Sequence, residues 1–258
     1  MARAQPISIT EADRAVLGPL AEHRVLIAPQ LAQLLGVSEA TAGRRLQRLS
    51  GAGLVRYERV FHGAPAATWI TRCGLDAIEQ RSPAPRLDLR GYRHDVGVGW
   101  LWLAARAGAF GELTDLVADR VMRIADSTAG REQARYGIGL GLLGPHGRPE
   151  RHYPDLLLST TSGHRVAIEL ELTAKSSPRM RRIMTAYASD ARIDAVLYLV
   201  PSASLAKLVS GAARQAGIAD RVHVQRIAPS GIAGAAFDAT RSSQRATTRS
   251  VARQGAER

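Results

Sequence analysis

The sequence predicts a mixed α/β chain of two domains, and three observations carry that expectation. Residues 10–50 show apolar positions at helical spacing, punctuated by glycine stops. Leu156–Ser159 and Arg165–Leu172 read as two strands around a Thr161-Ser162-Gly163 turn. From Ser177 onward, helical patterns alternate with short apolar strands, which implies a sheet covered on both faces. A chain of 258 residues is long enough for two cores. The patterns place a first domain at 8–80, a linker at 81–91, a second domain at 92–227 and a basic tail at 228–258.

Composition narrows the function classes. A hydrophobic content of 45% fits a globular protein, and a net charge of +12 favours an acidic partner such as nucleic acid. Of the 35 basic residues only Lys175 and Lys207 are lysines, and alanine and glycine are abundant. That bias is typical of GC-rich coding and discounts the charge signal. The single cysteine, Cys73, excludes an internal disulfide, fits a reducing cytosol and reads as a small buried side chain. Nothing near Met1 resembles a signal peptide. The longest apolar run, Val96–Phe110, contains Arg106 and is shorter than the roughly 20 residues a membrane span needs. The expectation is a cytoplasmic protein with no membrane partner.

Taken in order, Thr10 is an N-cap for a helix through Glu22, with Ala15, Val16 and Leu20 on one side. A second helix covers Pro29–Leu35. Gly36-Val37-Ser38 makes a tight turn whose serine caps a third helix to Ser50, with Ala42, Leu46 and Leu49 at core spacing. Strands at Leu54–Val60 and Ala67–Thr71 flank a turn at His62-Gly63-Ala64-Pro65. This order, with LAQLLGVSEATAGRRLQRLSGAGLV (Leu31–Val55) and WITRCGLDAI (Trp69–Ile78), resembles the winged helix-turn-helix family. Thr71, Gly74 and Leu75 sit where that family ends its wing and starts its next helix. The resemblance implies a double-stranded DNA partner, with the third helix in the major groove. Ser38, Glu39, Thr41, Arg44, Arg45 and Arg48 are that helix's polar positions, and arginine there reads guanine edges or neutralises phosphate. Arg56, Arg59 and His62 on the wing would meet the adjacent backbone.

The second domain is organised around Tyr153–Lys175. Alternation puts Arg165, Ala167, Glu169 and Glu171 on one face, and Val166, Ile168, Leu170 and Leu172 on a core face. A three-residue loop ending in glycine then sets Asp155 opposite Glu169. Asp155, Glu169 and Glu171 converge, and such close like charges require a metal ion, a protonation shift or an arginine. Oxygen-only ligands at Asp155 and Glu169 would select Mg2+, Mn2+ or Ca2+. Lys175 reads as a solvated charge, with a reach back to the carboxylates as the alternative.

Around this hairpin, a helix opens near His94-Asp95, which read as capping residues, with Val96, Trp100, Leu103, Ala104 and Ala107 as its stripe. Glu112–Val121 suggests a strand, and Ala125–Pro149 is rich in glycine without a readable period. Ser177-Pro178 starts a helix with Met180, Ile183, Met184 and Tyr187 buried. A strand at Ala195–Val200, a helix at Ser204–Gly217 and a strand at Val222–Ile227 follow.

This order, with Pro154-Asp155 and Glu169-Leu170-Glu171 on paired strands, resembles the PD-(D/E)XK nuclease superfamily, which implies a restriction-endonuclease-like α/β/α sandwich. The superfamily's two acidic positions bind a divalent metal and match Asp155 and Glu169. Its lysine position holds Glu171 here, and Lys175 lies four residues on. The catalytic candidates are therefore Asp155, Glu169, Glu171 and Lys175. The chain from Thr10 to about Val200 also resembles the replication-relaxation family of mobile elements. The match rests on the winged helix, HDVGVGWLWLAARAG (His94–Gly108), PDLLL, and ELE followed by a helix ending near Tyr187. It implies a role in plasmid replication, mobilisation or DNA relaxation, with relaxase or replication proteins as partners. The alternatives are a metal-dependent DNA endonuclease and a winged-helix transcription regulator whose second domain dimerises or senses a ligand. A homodimer accords with the last.

Residues 228–258 lose apolar periodicity and carry five arginines against Asp238 and Glu257. Such a composition buries too little surface to order itself, and its charge would add non-specific phosphate contacts. Limited trypsin digestion should remove this tail before cutting elsewhere. Survival of the tail for as long as the core would overturn the expectation.

Overall fold

Local capping rules set the first elements. In the computed structural model, residues 9–129, 134–144, 147 and 149–227 are described. Helix α1 (Glu11–Glu22) starts at Thr10 with a reciprocal pair of bonds. Thr10 N–H donates to Asp13 Oδ2 at 3.1 Å, and Asp13 N–H donates to Thr10 Oγ1 at 3.2 Å. Its inward positions are Asp13, Val16, Leu17 and Leu20, an i, i+3, i+4, i+7 set. Leu17 therefore takes the place expected for Ala15, which is exposed.

A two-residue strand, β1 (Leu26–Ile27), leads into α2 (Ala28–Leu35). It is too short to leave a period in the sequence. Gln30 caps this helix by accepting Ile27 N–H at 3.0 Å, and its amide donates to Val96 O at 2.8 Å. Ser38 caps α3 (Glu39–Gly51), whose buried residues are Ala42, Leu46 and Leu49, as the spacing requires. Strands β2 (Val55–Glu58) and β3 (Ala67–Ile70) pair antiparallel, and β1 joins the free edge of β3, giving the order β1-β3-β2.

Thr71 then caps α4 (Arg72–Ala77) and its hydroxyl also donates to Gly53 O at 2.6 Å. Gly74 and Leu75 are the buried positions of α4. Cys73 points outward and is exposed, contrary to the expectation of a buried thiol.

Residues 81–91 form neither helix nor strand. Helix α5 (Tyr92–Arg106) follows, with His94 and Asp95 in its first turn. Val98 and every residue from Trp100 to Ala105 are buried. The helix is thus apolar all round over that length rather than along one stripe, as befits an enclosed helix. Two compact units meet in sequence within α5: Met1–Gly99 and Trp100–Arg258.

In the second unit, β4 (Leu113–Ala118) is shorter than the expected strand, because α6 (Asp119–Thr128) begins directly after it. The glycine-rich stretch contains a hairpin, β5 (Ile138–Leu143) and β6 (Pro149–His152). Asp126, buried at the end of α6, organises its entry by accepting the N–H groups of Arg135 at 2.8 Å and Gly137 at 2.7 Å.

The remaining elements are β7 (Leu156–Thr160), β8 (Arg165–Leu170), α7 (Ser177–Ser189), β9 (Ala195–Val200), α8 (Ala203–Gln215) and β10 (Val222–Arg226). They build a five-stranded sheet, β10-β9-β8-β7-β4. Strands β8, β9 and β10 run parallel, while β7 is antiparallel to both neighbours. Both faces of β8 are buried. Ala167, on the face expected to be polar, has no exposure and packs in one core with Met180, Ile183, Met184 and Tyr187 of α7. The fold is therefore mixed α/β. Among the described residues no helix is long and apolar enough to cross a membrane. Residues 228–258, expected to be disordered, fall outside the described residues.

A methyl group at Gly74 would lie 2.1 Å from the Leu54 carbonyl oxygen and 2.7 Å from Ile70 Cγ1. Backbone cannot yield as a side-chain tip can, so Gly74→Ala should destabilise the first unit by about 1–3 kcal/mol, the usual cost of overpacking. Thermal denaturation checks this; an unchanged midpoint would mean that α4 is free to move away from Leu54.

Candidate functional site

The carboxylate cluster begins with a turn. Gly163 has φ 86°, which lets Thr160 N–H reach His164 O at 2.9 Å across a three-residue loop. The register runs from Ser159 opposite Arg165 to Leu156 opposite Ile168, and Asp155 stands just before β7. Asp155 N–H donates to Ile168 O at 3.1 Å, and Asp155 Oδ2 accepts Leu170 N–H at 2.7 Å.

Strand β8 stops at Leu170, and the chain turns before α7. That bend removes the long strand path and brings Lys175 back to Glu171, where Nζ pairs with Oε2. Lys175 is half-buried in this ion pair. It is not the solvated charge that its place after a strand suggested.

Glu169, 3% exposed, is answered by two residues the sequence did not single out as site residues. His152, the last residue of β6, places Nε2 2.6 Å from Glu169 Oε1, and the Tyr187 hydroxyl of α7 donates to the same oxygen. The two rings meet edge to face at 5.6 Å. Tyr187 was legible only as a core position. His152 stands three residues before Asp155, and that proximity was its one signal. Tyr198 sits beside Glu169 in the β8–β9 register, and its buried hydroxyl has no protein partner among the described residues.

These contacts fix the electrostatics. Burial pushes the Glu169 carboxyl up, but the charges of His152 and Lys175 and the bonds from His152 and Tyr187 outweigh it and hold it below the usual range. At Glu171 burial wins over the Lys175 ion pair, and the neighbouring Glu169 and Asp155 add to it, so that carboxyl is raised. Burial and the same carboxylates push the Tyr187 and Tyr198 hydroxyls well above their ordinary value. A lysine, a histidine and a tyrosine therefore compensate the acidic cluster, rather than an arginine.

One oxygen of each acid is already engaged by a protein donor. Glu169 Oε1 takes two donors, Asp155 Oδ2 takes a backbone N–H, and Glu171 Oε2 takes Lys175. Among the described residues no group of three His, Cys, Asp or Glu is arranged to hold a metal ion.

The α3 face lies in the first unit. Ser38 Oγ accepts Thr41 N–H at 3.2 Å and lies 2.9 Å from Thr41 Oγ1, which in turn accepts Arg44 Nη2 at 3.1 Å. Ser38 and Arg44 are exposed; Thr41 and Arg45 are half-buried. Arg48 differs from the expected free contact: its guanidinium pairs with Asp13, which is buried on α1. Burial raises the Asp13 carboxyl, yet the Thr10 bonds and the charges of Arg48 and Arg45 outweigh it and lower it. On the hairpin, Arg56 lies 3.8 Å from Glu58, and Arg59 and His62 are exposed. Phe61 is exposed too and packs on Tyr92 with ring centroids 5.1 Å apart.

Tyr187→Phe should lower the stability of the second unit by about 1.5–3 kcal/mol, the range for a hydrogen bond to a charged group. The Glu169 contribution has a defined pH sense. Its folded carboxyl is lowered, so the stabilisation is complete above the unfolded carboxyl value and is lost as pH falls through the folded one. Urea midpoints measured across the acid range should show a shallower acid limb for Glu169→Gln. An identical limb would assign the acid sensitivity elsewhere.

Compared with protein-family models and with curated protein sequences, the chain matches none.

Proposed function

We propose that this chain is a double-stranded-DNA-binding protein of a plasmid or integrated mobile element, acting in replication, mobilisation or DNA relaxation. The observation that carries the reading is the face of α3. Ser38, Thr41, Arg44 and Arg45 lie along its N-terminal half and reach the surface, while Ala42, Leu46 and Leu49 hold its other side in the core. The order α1, β1, α2, α3, β2, β3 supports a winged helix-turn-helix reading, in which the third helix would enter the major groove. The sheet of the second unit, with Asp155 just before β7 and Glu169 on β8, supports a nuclease-like domain. Its acids are taken up by protein donors, so in this reading the domain serves as a structural and interaction platform for relaxase or replication proteins.

A second reading, a DNA endonuclease, is favoured by one observation, the return of Lys175 to the carboxylates. Incubating supercoiled plasmid with the protein and Mg2+ or Mn2+ separates the two. No nicking is expected; nicking abolished by both Asp155→Ala and Glu169→Ala would replace the platform reading with the enzyme.

Duplex affinity should fall steeply with salt as phosphate contacts release counterions. Arg44→Ala should cost about 1–3 kcal/mol of binding, unequally between duplex sequences, if the side chain reads a base. Fluorescence anisotropy with two unrelated duplexes makes the measurement. Equal binding by wild type and an Arg44→Ala/Arg45→Ala variant would remove α3 as the contact.

A further inference from the structure

We infer that α7 carries a second, sequence-independent contact for the phosphate backbone of duplex DNA, made by Arg179, Arg181 and Arg182. This inference rests on the DNA-binding reading and extends it to the second unit. Helix α7 reads SPRMRRIMTAYAS and contains no acidic residue. Its inward positions, Met180, Ile183, Met184, Ala186 and Tyr187, are buried, and the three arginines stand exposed on the opposite side. Among the described residues none of the three has an acidic partner within ion-pair distance.

Their position argues for an external anion. Arg179 lies in the first turn, where the helix dipole is positive and an acidic residue is the stabilising choice, and Arg181 and Arg182 follow in the second turn. The fold gains nothing from three cations there. An arginine-rich coding bias explains arginines in general, but it does not explain a helix whose exposed N-terminal half has no compensating acid. Beside them runs a groove of about 550 Å³ between α7 and β5. Arg181, Arg182, Thr185 and Ser189 line one wall together with Pro178 and Ala186, and Gly139, Leu140 and Gly141 line the other. Among the described residues no acidic one lines it. Guanidinium and hydroxyl donors opposite a glycine-flanked strand suit a polyanionic backbone, which needs close approach and many donors but no base-specific shape.

The test measures affinity of the full chain for a long linear duplex as a function of salt. The Arg179→Gln/Arg181→Gln/Arg182→Gln variant should lower the slope of log K against log salt by about 2–3, because each neutralised phosphate accounts for roughly 0.9 of that slope. Two unrelated duplex sequences should weaken equally. Replacing the same three residues with lysine should restore most of the slope, because the role needs charge rather than fork geometry. The substituted side chains are exposed, so folding is expected to survive, and far-UV circular dichroism verifies it. A slope equal to wild type overturns the inference. So does an unchanged slope with altered sedimentation, which would reassign the face to self-association. The Arg44→Ala/Arg45→Ala variant separates the two claims. Loss of binding there alone leaves α3 standing and removes α7. Loss in the α7 variant alone does the reverse. A wild-type chain that binds no duplex removes both.

Discussion

A carboxylate with almost no access to water has to be answered by protein donors, because leaving a buried charge uncompensated costs several kcal/mol. Glu169 imposes that requirement on the second unit. It lies within the central strand of the sheet, 3% exposed. Its donors come from β6 and α7, one on each side of the hairpin in sequence. Strand β6 has to be held against β5 for His152 to be in place, and β5 is held by the buried Asp126 and by Arg192, which donates to Ala134 O and Gly137 O. One acidic side chain therefore ties the glycine-rich hairpin, the sheet and α7 into a single polar arrangement. Removing any donor exposes the rest to the desolvation penalty.

The first unit repeats the device on a smaller scale. Asp13 is buried at the start of α1, closes its own cap with Thr10 and accepts Arg48 from the last turn of α3. The ion pair joins residues 35 positions apart and sets the angle between two helices that also share a core through Val16, Leu17, Leu46 and Leu49. Arg48 is thereby tied to α1, whereas Arg44, bonded to Thr41, stands at the surface of the same helix. Two arginines four residues apart on one helix thus have different partners, Asp13 for one and Thr41 for the other.

The legible parts of this molecule are those governed by short-range rules. Caps at Thr10, Ser38 and Thr71, the inward spacing of α3, and the register of the β7–β8 hairpin all follow from local chemistry: side-chain caps, helical period, and the length of one turn. What escaped reading depends on long-range neighbours. Strand β1 is two residues long and exists because β3 offers it a free edge. The face of β8 carrying Ala167 and Glu169 alternates like a half-exposed strand, but α7 covers it. His152 lies in a segment where glycines erase periodicity, so nothing local marks it as a partner of Glu169. Lys175 reaches Glu171 only because the strand ends at Leu170, and a strand's last residue is among the least determined features of a sequence.

The outward placement of Cys73 has a practical side. It is the sole cysteine of the chain, and it stands exposed on α4 while the buried positions of that helix are Gly74 and Leu75. A thiol-directed fluorophore would therefore attach at a single known point on the native sequence, without engineering a label or removing competing thiols. Its attachment lies outside the packed side of α4, so the dye adds bulk to solvent rather than to the interior. The molecule brings its own reporter site to the unit that holds α3.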